Sequence, residues 1–223
     1  MKTGKKGAAG KAFAQGMGFY KLTWIFVICC VLGFAVETAW YYLRFGYIES
    51  RKSLIYGPLS VAYGLGGIIL SVTLNRFRHS SKWKIFLVTF VIGTAAEYIF
   101  SWGEELFFGH VSWDYSNVPF NINGRVCLLY SVFWGALGLV WVKYVMPVMD
   151  RWIEKVPRTL GIVLTWVFIV FFIADVILSA SAATRKNARA DGILPANKYD
   201  QFLDRHYPDE RMDKIYANAQ KVE

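Results

Sequence analysis

The chain has 223 residues, of which 55% are apolar and 17% aromatic, and its formal net charge is +9. Soluble domains contain about 45–50% apolar residues, so this excess excludes a disordered chain and argues against a soluble enzyme. The three cysteines stand inside apolar runs without a CxxC pair, which excludes a small domain held together by disulfides.

The apolar residues gather into five long segments. A bilayer core about 30 Å thick requires about 20 apolar residues in a spanning helix, and residues 20–43, 54–74, 85–102, 126–146 and 160–181 satisfy this. The sequence therefore predicts an all-α integral membrane protein with about five transmembrane helices and a short helical C-terminal tail. The basic residues lie in small groups beside these segments, so nucleic acid is not an expected partner.

Residues 1–19 are expected to form a basic cytoplasmic N-terminus, and its basic stretch, residues 1–11, resembles the start of a signal peptide. The apolar run that follows is longer than the roughly 7–15 residues of a signal peptide, and no small-residue cleavage site ends it. We therefore expect a retained signal anchor, with residues 20–183 as the transmembrane domain.

Small residues recur at helical spacing in two segments, namely at Ser60, Gly64, Gly67 and Ser71 in the second and at Gly135 and Gly138 in the fourth. Such stripes allow helix backbones to approach closely, so we interpret them as packing surfaces. An alternative for the second segment is a helix break at residues 64–67, with freed backbone groups along a substrate path.

The later segments have expected ends. The third is expected to continue to Phe108, and Pro147 is expected to end the fourth, because proline lacks the amide hydrogen of a helix interior. Residues 180–190 have high helix propensity and Gly192 is a suitable helix stop. The fifth helix is therefore expected to project beyond the membrane.

Residues 184–223 form a tail of different composition, with nearly balanced charges. Two short amphipathic helices are predicted, because apolar residues share one helical face in each, namely Tyr199, Phe202 and Leu203 in the first and Met212, Ile215 and Tyr216 in the second. We expect them to pack on the membrane domain or on a second copy of the chain. A lid with a functional role is the alternative.

The distribution of basic residues predicts the orientation. Thirteen lysines and arginines lie within residues 2–21, 76–84 and 143–158, against four in the intervening loops. Cytoplasmic loops carry the excess of Lys and Arg. The expected location is the plasma membrane, with a cytoplasmic N-terminus and, after five spans, an extracytoplasmic C-terminus.

Three of the predicted spans contain one carboxylate each, namely Glu37, Glu97 and Asp175. A charge at the bilayer centre costs about 2.5–3.5 kcal/mol or more, so each is expected to face the protein interior. At about 1.5 Å per residue, all three lie in the outer half of the bilayer. We infer an acidic polar chamber open to the outer side. The alternative is that these charges only pair to hold helices together.

The expected substrate-binding residues of this chamber are Glu37, Tyr56, Glu97, Glu104, Asp114, Asn121, Arg125 and Asp175. Arg125 and Arg44 are the expected counter-charges. Paired carboxylates near an arginine suit general acid–base chemistry or the binding of a cationic or zwitterionic head group. The sequence leaves open whether the protein is an enzyme.

The sequence lacks the motifs of common active sites. Residues 7–11 resemble a phosphate-binding loop, but the first glycine and the Ser or Thr after the lysine are absent. His110 and Asp114, with Glu104 and Glu105, match no metal-ligand spacing. We expect no cofactor and no bound metal.

Three blocks resemble the bacterial membrane protein family described as "Putative ABC-transporter type IV". They are residues 33–37 (GFAVE), residues 56–64 (YGPLSVAYG) and residues 113–128, which begin WDYS and end PFNINGRVCL. Glu97, in TAAEY, is also similar to the family. The resemblance implies a permease-like protein whose ATPase would be a separate subunit. The family often has Cys-Pro where this chain has Ser60 and Val61.

Two functions stay open. The first is a permease-like multi-pass membrane protein that transports or handles a small or lipid-like substrate. The alternative is a membrane-embedded enzyme or lipid-binding protein that acts on an outer-leaflet lipid head group. An accessory subunit is a third hypothesis. The expected partners are membrane lipid and either a separate ATPase subunit or a second copy.

Overall fold

The structure is a computed structural model that describes residues 13–217 and 220–221. Most of them are helical, which confirms the all-α class. In chain order the helices are α1 (Phe19–Phe45), α2 (Val61–Asn75), α3 (Lys82–Phe108), α4 (Leu128–Val140), α5 (Met146–Glu154), α6 (Arg158–Ala190), α7 (Lys198–His206) and α8 (Asp209–Ile215). The antiparallel strand pairs are β1 (His110–Val111) with β4 (Gln220–Lys221), and β2 (Asn121–Ile122) with β3 (Val126–Cys127). The predicted basic N-terminus lies, for residues 1–12, outside the described residues.

Four helical stretches are long and apolar enough to cross a membrane, namely Phe19–Phe45, Lys82–Phe107, Leu128–Glu154 and Arg158–Ala190. The second predicted span is shorter than expected. α2 has 15 residues, which is about 22 Å at 1.5 Å per residue and less than a bilayer core of about 30 Å. Residues 54–60 form a loop, because Pro58 disfavours helix in the residue before it and Gly57 has φ +73°. The count of about five spans is therefore not confirmed.

Pro147 does not end the fourth predicted helix, and that expectation is wrong. A π-helical turn at Trp141–Val145 joins α4 to α5, so the helix continues to Glu154. In an α-helix a proline ring clashes with the carbonyl four residues earlier, which here lies inside the π turn. The wider turn, in which the Met146 N–H donates to the Trp141 carbonyl, accommodates the ring.

Two antiparallel helix pairs, α1–α2 and α3–α4, form what we call the two hairpins. Each pair is close because glycines stand at the contact. A Cβ at Gly64 would lie 2.4 Å from Cys30 Sγ, and one at Gly138 would lie 2.2 Å from Thr89 Oγ1. The interpretation of the small residues as packing surfaces is confirmed. Because α2 is continuous, the alternative of a helix break within it is wrong.

The hairpins share a core at one end of the bundle, which we call the basic end because Lys and Arg cluster in and beside the turns that follow α2 and α5. This core contains Ile25, Leu70, Leu74, Ile85, Met146 and Ile153. Beside it, Lys21 is 1% exposed and donates to Asp150 at 2.8 Å and to Glu154 at 2.9 Å. Arg78 also donates to Asp150, at 2.6 Å. The core and these ion pairs close the basic end.

The opposite end, the tail end, is formed by loops 46–60 and 109–127 and by what we call the tail lobe, residues 182–217. In the lobe, α7 and α8 fold back on α6 around a core of Ile55, Ala182, Leu203, Tyr207 and Met212. Arg185 binds both carboxylate oxygens of Asp204, at 2.8 and 2.9 Å. These bonds lower the pKa of Asp204 below its usual range. Which side of the membrane holds the lobe stays a prediction.

Candidate functional site

Glu97 on α3 is a buried carboxylate whose two oxygens both accept hydrogen bonds. The Tyr115 hydroxyl donates to Oε1 at 3.0 Å, and Trp134 Nε1 donates to Oε2 at 3.0 Å. The side chain is 8% exposed. Burial of a charge is costly without such partners, and each hydrogen bond to a charged group recovers about 1.5–3 kcal/mol. Glu97 therefore joins the loop before β2 to α4.

Tyr115 reaches that carboxylate because its loop is braced by its own polar side chains. Asp114 accepts from the N–H and hydroxyl of Ser116 at 2.8 and 2.6 Å, and these bonds lower the pKa of Asp114. Asn121 Oδ1 accepts from the Gly124 N–H at 3.0 Å, and the Gly124 carbonyl accepts from the Tyr115 N–H at 2.7 Å. Asp114 and Asn121 thus maintain the shape of the loop.

Two further predicted residues fix the end of α3. Arg125 forms an ion pair with Glu105, and its Nη1 lies 3.4 Å from Ser101 Oγ. Glu104 accepts from the N–H of Ser112 at 2.8 Å and from its hydroxyl at 2.9 Å. Both contacts connect the last turns of α3 to the loop that follows, so they position the segment that carries Tyr115.

Glu37 and Tyr63 belong to the first hairpin, and Tyr63 lies within electrostatic range of Glu97 in the second. Tyr63 packs over Gly33, where a Cβ would lie 2.2 Å from the ring, and it is within electrostatic range of Glu37 and Glu97. Glu37 is half-buried, lies within electrostatic range of Arg51 and has no ion pair in the described part of the chain. We call this group the inter-hairpin site, and it consists of Glu37, Arg51, Tyr63, Glu97 and Tyr130.

The aromatic wall of the inter-hairpin site is exposed at the side of the bundle. Tyr130 on α4 stacks on Tyr115, with ring centroids 4.6 Å apart and an interplanar angle of 15°. Tyr130 is 39% exposed and Tyr63 is 46% exposed. Both rings are therefore accessible at the surface of the protein, whereas the Glu97 carboxylate is buried. The arrangement combines a buried acid with an amphipathic aromatic surface.

Asp175 occupies a separate place under the tail lobe. Its Oδ1 accepts from the Tyr56 N–H at 3.2 Å and from the Ser179 hydroxyl at 3.3 Å, and its Oδ2 is buried. Ser179 Oγ also accepts from the Ile55 N–H at 3.0 Å. The Tyr56 and Tyr207 hydroxyls are 2.9 Å apart, and burial with this bond raises the pKa of Tyr207 to about 12. This cluster attaches the tail lobe to the loop before α2.

The eight predicted site residues therefore fall into three groups. Three are carboxylates of α1 and α3, namely Glu37, Glu97 and Glu104, and of these Glu104 lies within electrostatic range of Glu37. Two residues join the tail lobe to the bundle, namely Tyr56 and Asp175. The other three shape the loop between α3 and α4, namely Asp114, Asn121 and Arg125. The expected counter-charge Arg44 is exposed beside the Phe45 ring, 5.2 Å from its centroid.

Sequence reasoning missed the side chains that hold the carboxylates. Trp134 and Arg51 carry no local pattern that assigns them to the site. A signal for Trp134 existed, because a buried carboxylate needs donors and Trp134 lies one helical turn after Tyr130 in a facing span. Within residues 13–217 and 220–221, no group of three or more His, Cys, Asp or Glu side chains is arranged to hold a metal ion.

These features define a class, an all-α membrane protein of helical hairpins with a polar site between them at one end. The sequence profile of the family described as "Putative ABC-transporter type IV" matches residues 24–180, which is more than half of the chain. The chain belongs to this family. No curated protein and no solved structure matches it. The matched range includes the whole inter-hairpin site and excludes α7 and α8.

Proposed function

We propose that this protein is a permease-like membrane component that binds a small or lipid-like amphiphile at the inter-hairpin site during transport. The observation that carries the proposal is Glu97, a buried carboxylate of the second hairpin that lies within electrostatic range of Tyr63 of the first, while the shared core lies at the other end. Ionisable residues inside membrane segments are costly and mark substrate or ion pathways. The transporter-type description of the family supports the same conclusion.

An amphiphile is the substrate class that fits the surface of the site. A polar head group would face the carboxylates of Glu37 and Glu97, while its apolar part would lie along the exposed rings of Tyr63 and Tyr130. Tyrosine suits such a boundary because it has an apolar ring and a polar tip. A soluble, fully polar substrate would leave these rings without a role.

The closed basic end constrains the transport cycle. A substrate that leaves toward that end must pass the shared core and the ion pairs of Lys21 with Asp150 and Glu154. Those contacts would have to separate in a second conformation. The exposed basic side chains of this end, among them Lys82 and Arg151, offer a docking surface for a separate ATPase subunit, whose hydrolysis would drive the separation.

The second candidate is a membrane-embedded enzyme or lipid-binding protein that acts on the head group of an outer-leaflet lipid. The lateral exposure of Tyr63 and Tyr130, combined with the closed basic end, favours this alternative. Both functions require the same occupant at the inter-hairpin site. They differ in whether that occupant crosses the membrane.

Photolabelling followed by a transbilayer assay tests both. The protein is placed in nanodiscs with a phospholipid that carries a diazirine near its glycerol, and crosslinked peptides are mapped by mass spectrometry. We expect crosslinks in the peptides that contain Tyr63 and Tyr130, and a marked reduction in Glu97→Gln. Glu210→Gln, an exposed change on α8, is the matched control.

A fluorescent lipid in proteoliposomes then separates the two functions. Protein-dependent movement across the bilayer that is lost in Glu97→Gln supports transport. Crosslinking at the site without movement supports the lipid enzyme or binder. Crosslinks spread evenly over every lipid-facing helix, unchanged in Glu97→Gln, contradict both functions.

A further inference from the structure

Arg51, in the loop after α1, is held firmly but has an unused donor. Its guanidinium lies 4.0 Å from the centroid of the Tyr41 ring, and its Nη2 is 3.1 Å from Glu49 Oε1. The side chain is 14% exposed, and its Nε–H is buried with no acceptor among the described residues. A buried donor without a partner is costly, so this position favours a ligand that supplies an oxygen.

Glu37 provides a complementary charge. It lies one helical turn before Tyr41 on the same face of α1, and Tyr41 is the residue whose ring the Arg51 guanidinium covers. The two charges are within electrostatic range but form no ion pair in the described structure. The Tyr41 hydroxyl bonds to Glu49 at 3.0 Å and lies 2.7 Å from that of Tyr47, so Arg51 is fixed over the ring. The Glu37 carboxylate and the Arg51 guanidinium therefore have no direct contact, and each can still form a hydrogen bond with a ligand.

We propose that Glu37 and Arg51 bind a zwitterionic head group, with its ammonium on the Glu37 carboxylate and its oxyanion on the Arg51 Nε–H. This proposal rests on the proposed function and names its substrate class. The Tyr63 ring, within electrostatic range of Glu37, adds the aromatic surface that attracts an ammonium.

The charges around the site disfavour a purely anionic head group. Glu49 already pairs with Arg51, so Glu37 and Glu49 together outnumber the single guanidinium. Glu104 adds a third carboxylate within electrostatic range of Glu37. Like charges brought together at a binding site are repelled. A head group with an ammonium is therefore preferred over one that has only a phosphate.

Two sources have this chemistry. One is a phospholipid with an ammonium and a phosphate in its head group, such as phosphatidylethanolamine. The other is a free small zwitterion such as glycerophosphoethanolamine. Binding of the lipid in the presence of an excess of the free compound distinguishes them, because competition shows that the head group alone suffices. Lack of competition shows that the acyl chains are required.

The test measures the affinity of the purified full chain in detergent for short-chain phosphatidylethanolamine and for phosphatidylglycerol, by native mass spectrometry. We expect the wild type to prefer phosphatidylethanolamine by about tenfold or more, the scale of one hydrogen bond to a charged group. Glu37→Gln and Arg51→Lys should each remove that preference. Arg51→Lys keeps the positive charge and removes only the Nε–H and the planar fork. Glu210→Gln is the control for general charge effects, and circular dichroism verifies that each variant is folded.

Equal affinity of the wild type for the two lipids would overturn the proposal, as would a preference that persists in both variants. The photolabelling experiment keeps this failure separate from a failure of the proposed function. If both lipids crosslink at the inter-hairpin site with equal yield, the site binds amphiphiles but does not distinguish a zwitterionic head group from an anionic one. If neither lipid crosslinks there, the proposed function itself is wrong.

Discussion

Lys21 and Glu37 are two charged side chains of the same helix, α1, that the fold treats differently. Near the basic end, Lys21 is 1% exposed and bonds to two carboxylates, Asp150 and Glu154. Toward the tail end, Glu37 is half-buried and makes no ion pair within the described residues, although Arg51 lies within electrostatic range. One charge is fully partnered and the other is not.

We interpret this difference as a structural role for the basic end and, in line with the proposed function, a ligand-binding role for the tail end. A buried pair is costly to break because its removal leaves an uncompensated charge. The basic end therefore behaves as a rigid closure that joins α1 to α5. At the tail end, the Glu37 carboxylate forms no ion pair among the described residues. The comparison predicts that charge removal will reduce stability at one end and change ligand binding at the other.

The largest effect is expected at the basic end. Lys21→Met should lower the free energy of unfolding by about 3 kcal/mol, because two hydrogen bonds from a buried ammonium to carboxylates are lost, while Asp150 keeps its bond to Arg78. Unfolding in detergent, followed by tryptophan fluorescence, measures this. Lys214→Met, at a pair whose side chains are 75% and 82% exposed, is the control and should change stability by less than about 1 kcal/mol. Equal effects of the two variants would contradict the assigned structural role.

Glu97 offers an intermediate case, since its carboxylate is partnered but lies in the site. Trp134→Phe should cost about 1–3 kcal/mol, because it removes a donor and leaves a buried carboxylate oxygen unpaired. Tyr115→Phe removes the other donor and should cost a similar amount. The double variant in a mutant cycle should show coupling between the two, measured by the same unfolding assay. Additive effects would mean that the two donors act independently of the shared carboxylate.

The sequence was sufficient for the coarse fold because apolar runs and membrane thickness determine which segments can span. It failed at α2 and at Pro147 for local backbone reasons. The loop before α2 depends on Gly57 and Pro58 together, and the π turn that accommodates Pro147 leaves no composition signal. Hydropathy averages over such details.

The site was predictable in part. The cost of a charge in a membrane identified Glu37, Glu97 and Asp175, because that argument needs only the sequence and a helix rise. Their partners depend on how the helices are arranged in space. Asp175 lies beside Tyr56 under the tail lobe, away from the inter-hairpin site that contains Glu37 and Glu97. The depth of a residue along a span does not show which face of the bundle that residue occupies.

The third prediction concerns the tight packing within each hairpin. Gly138→Ala should destabilise by about 1–3 kcal/mol, because its Cβ would lie 2.2 Å from Thr89 Oγ1 and the contact would be overpacked. Gly103→Ala on α3 is the matched control, since a Cβ there meets nothing within 4 Å. It should stabilise by up to about 1 kcal/mol through helix propensity. A lower melting temperature for Gly138→Ala and an equal or higher one for Gly103→Ala would confirm that the helices are close-packed at this contact. An unchanged melting temperature for Gly138→Ala would refute it.

The smallest effect is expected in the tail lobe, where the Asp204 carboxylate that pairs with the buried Arg185 is 26% exposed. The hydrogen bonds from Arg185 and Arg189 hold the pKa of Asp204 below its usual 3.8. Because the pKa of Asp204 is lower in the folded state, its ion pairs stabilise the docked lobe fully above about pH 4. This stabilisation is lost as the pH falls through the folded-state pKa of Asp204. A dye on Ala217→Cys reports docking by its fluorescence anisotropy, which should fall as the lobe is released in acid.

Asp204→Asn should lower the anisotropy at neutral pH and flatten its acid dependence. If Asp204→Asn leaves the acid transition unchanged, another group controls release, and the lobe is held by its apolar core of Leu203, Tyr207 and Met212 rather than by this pair.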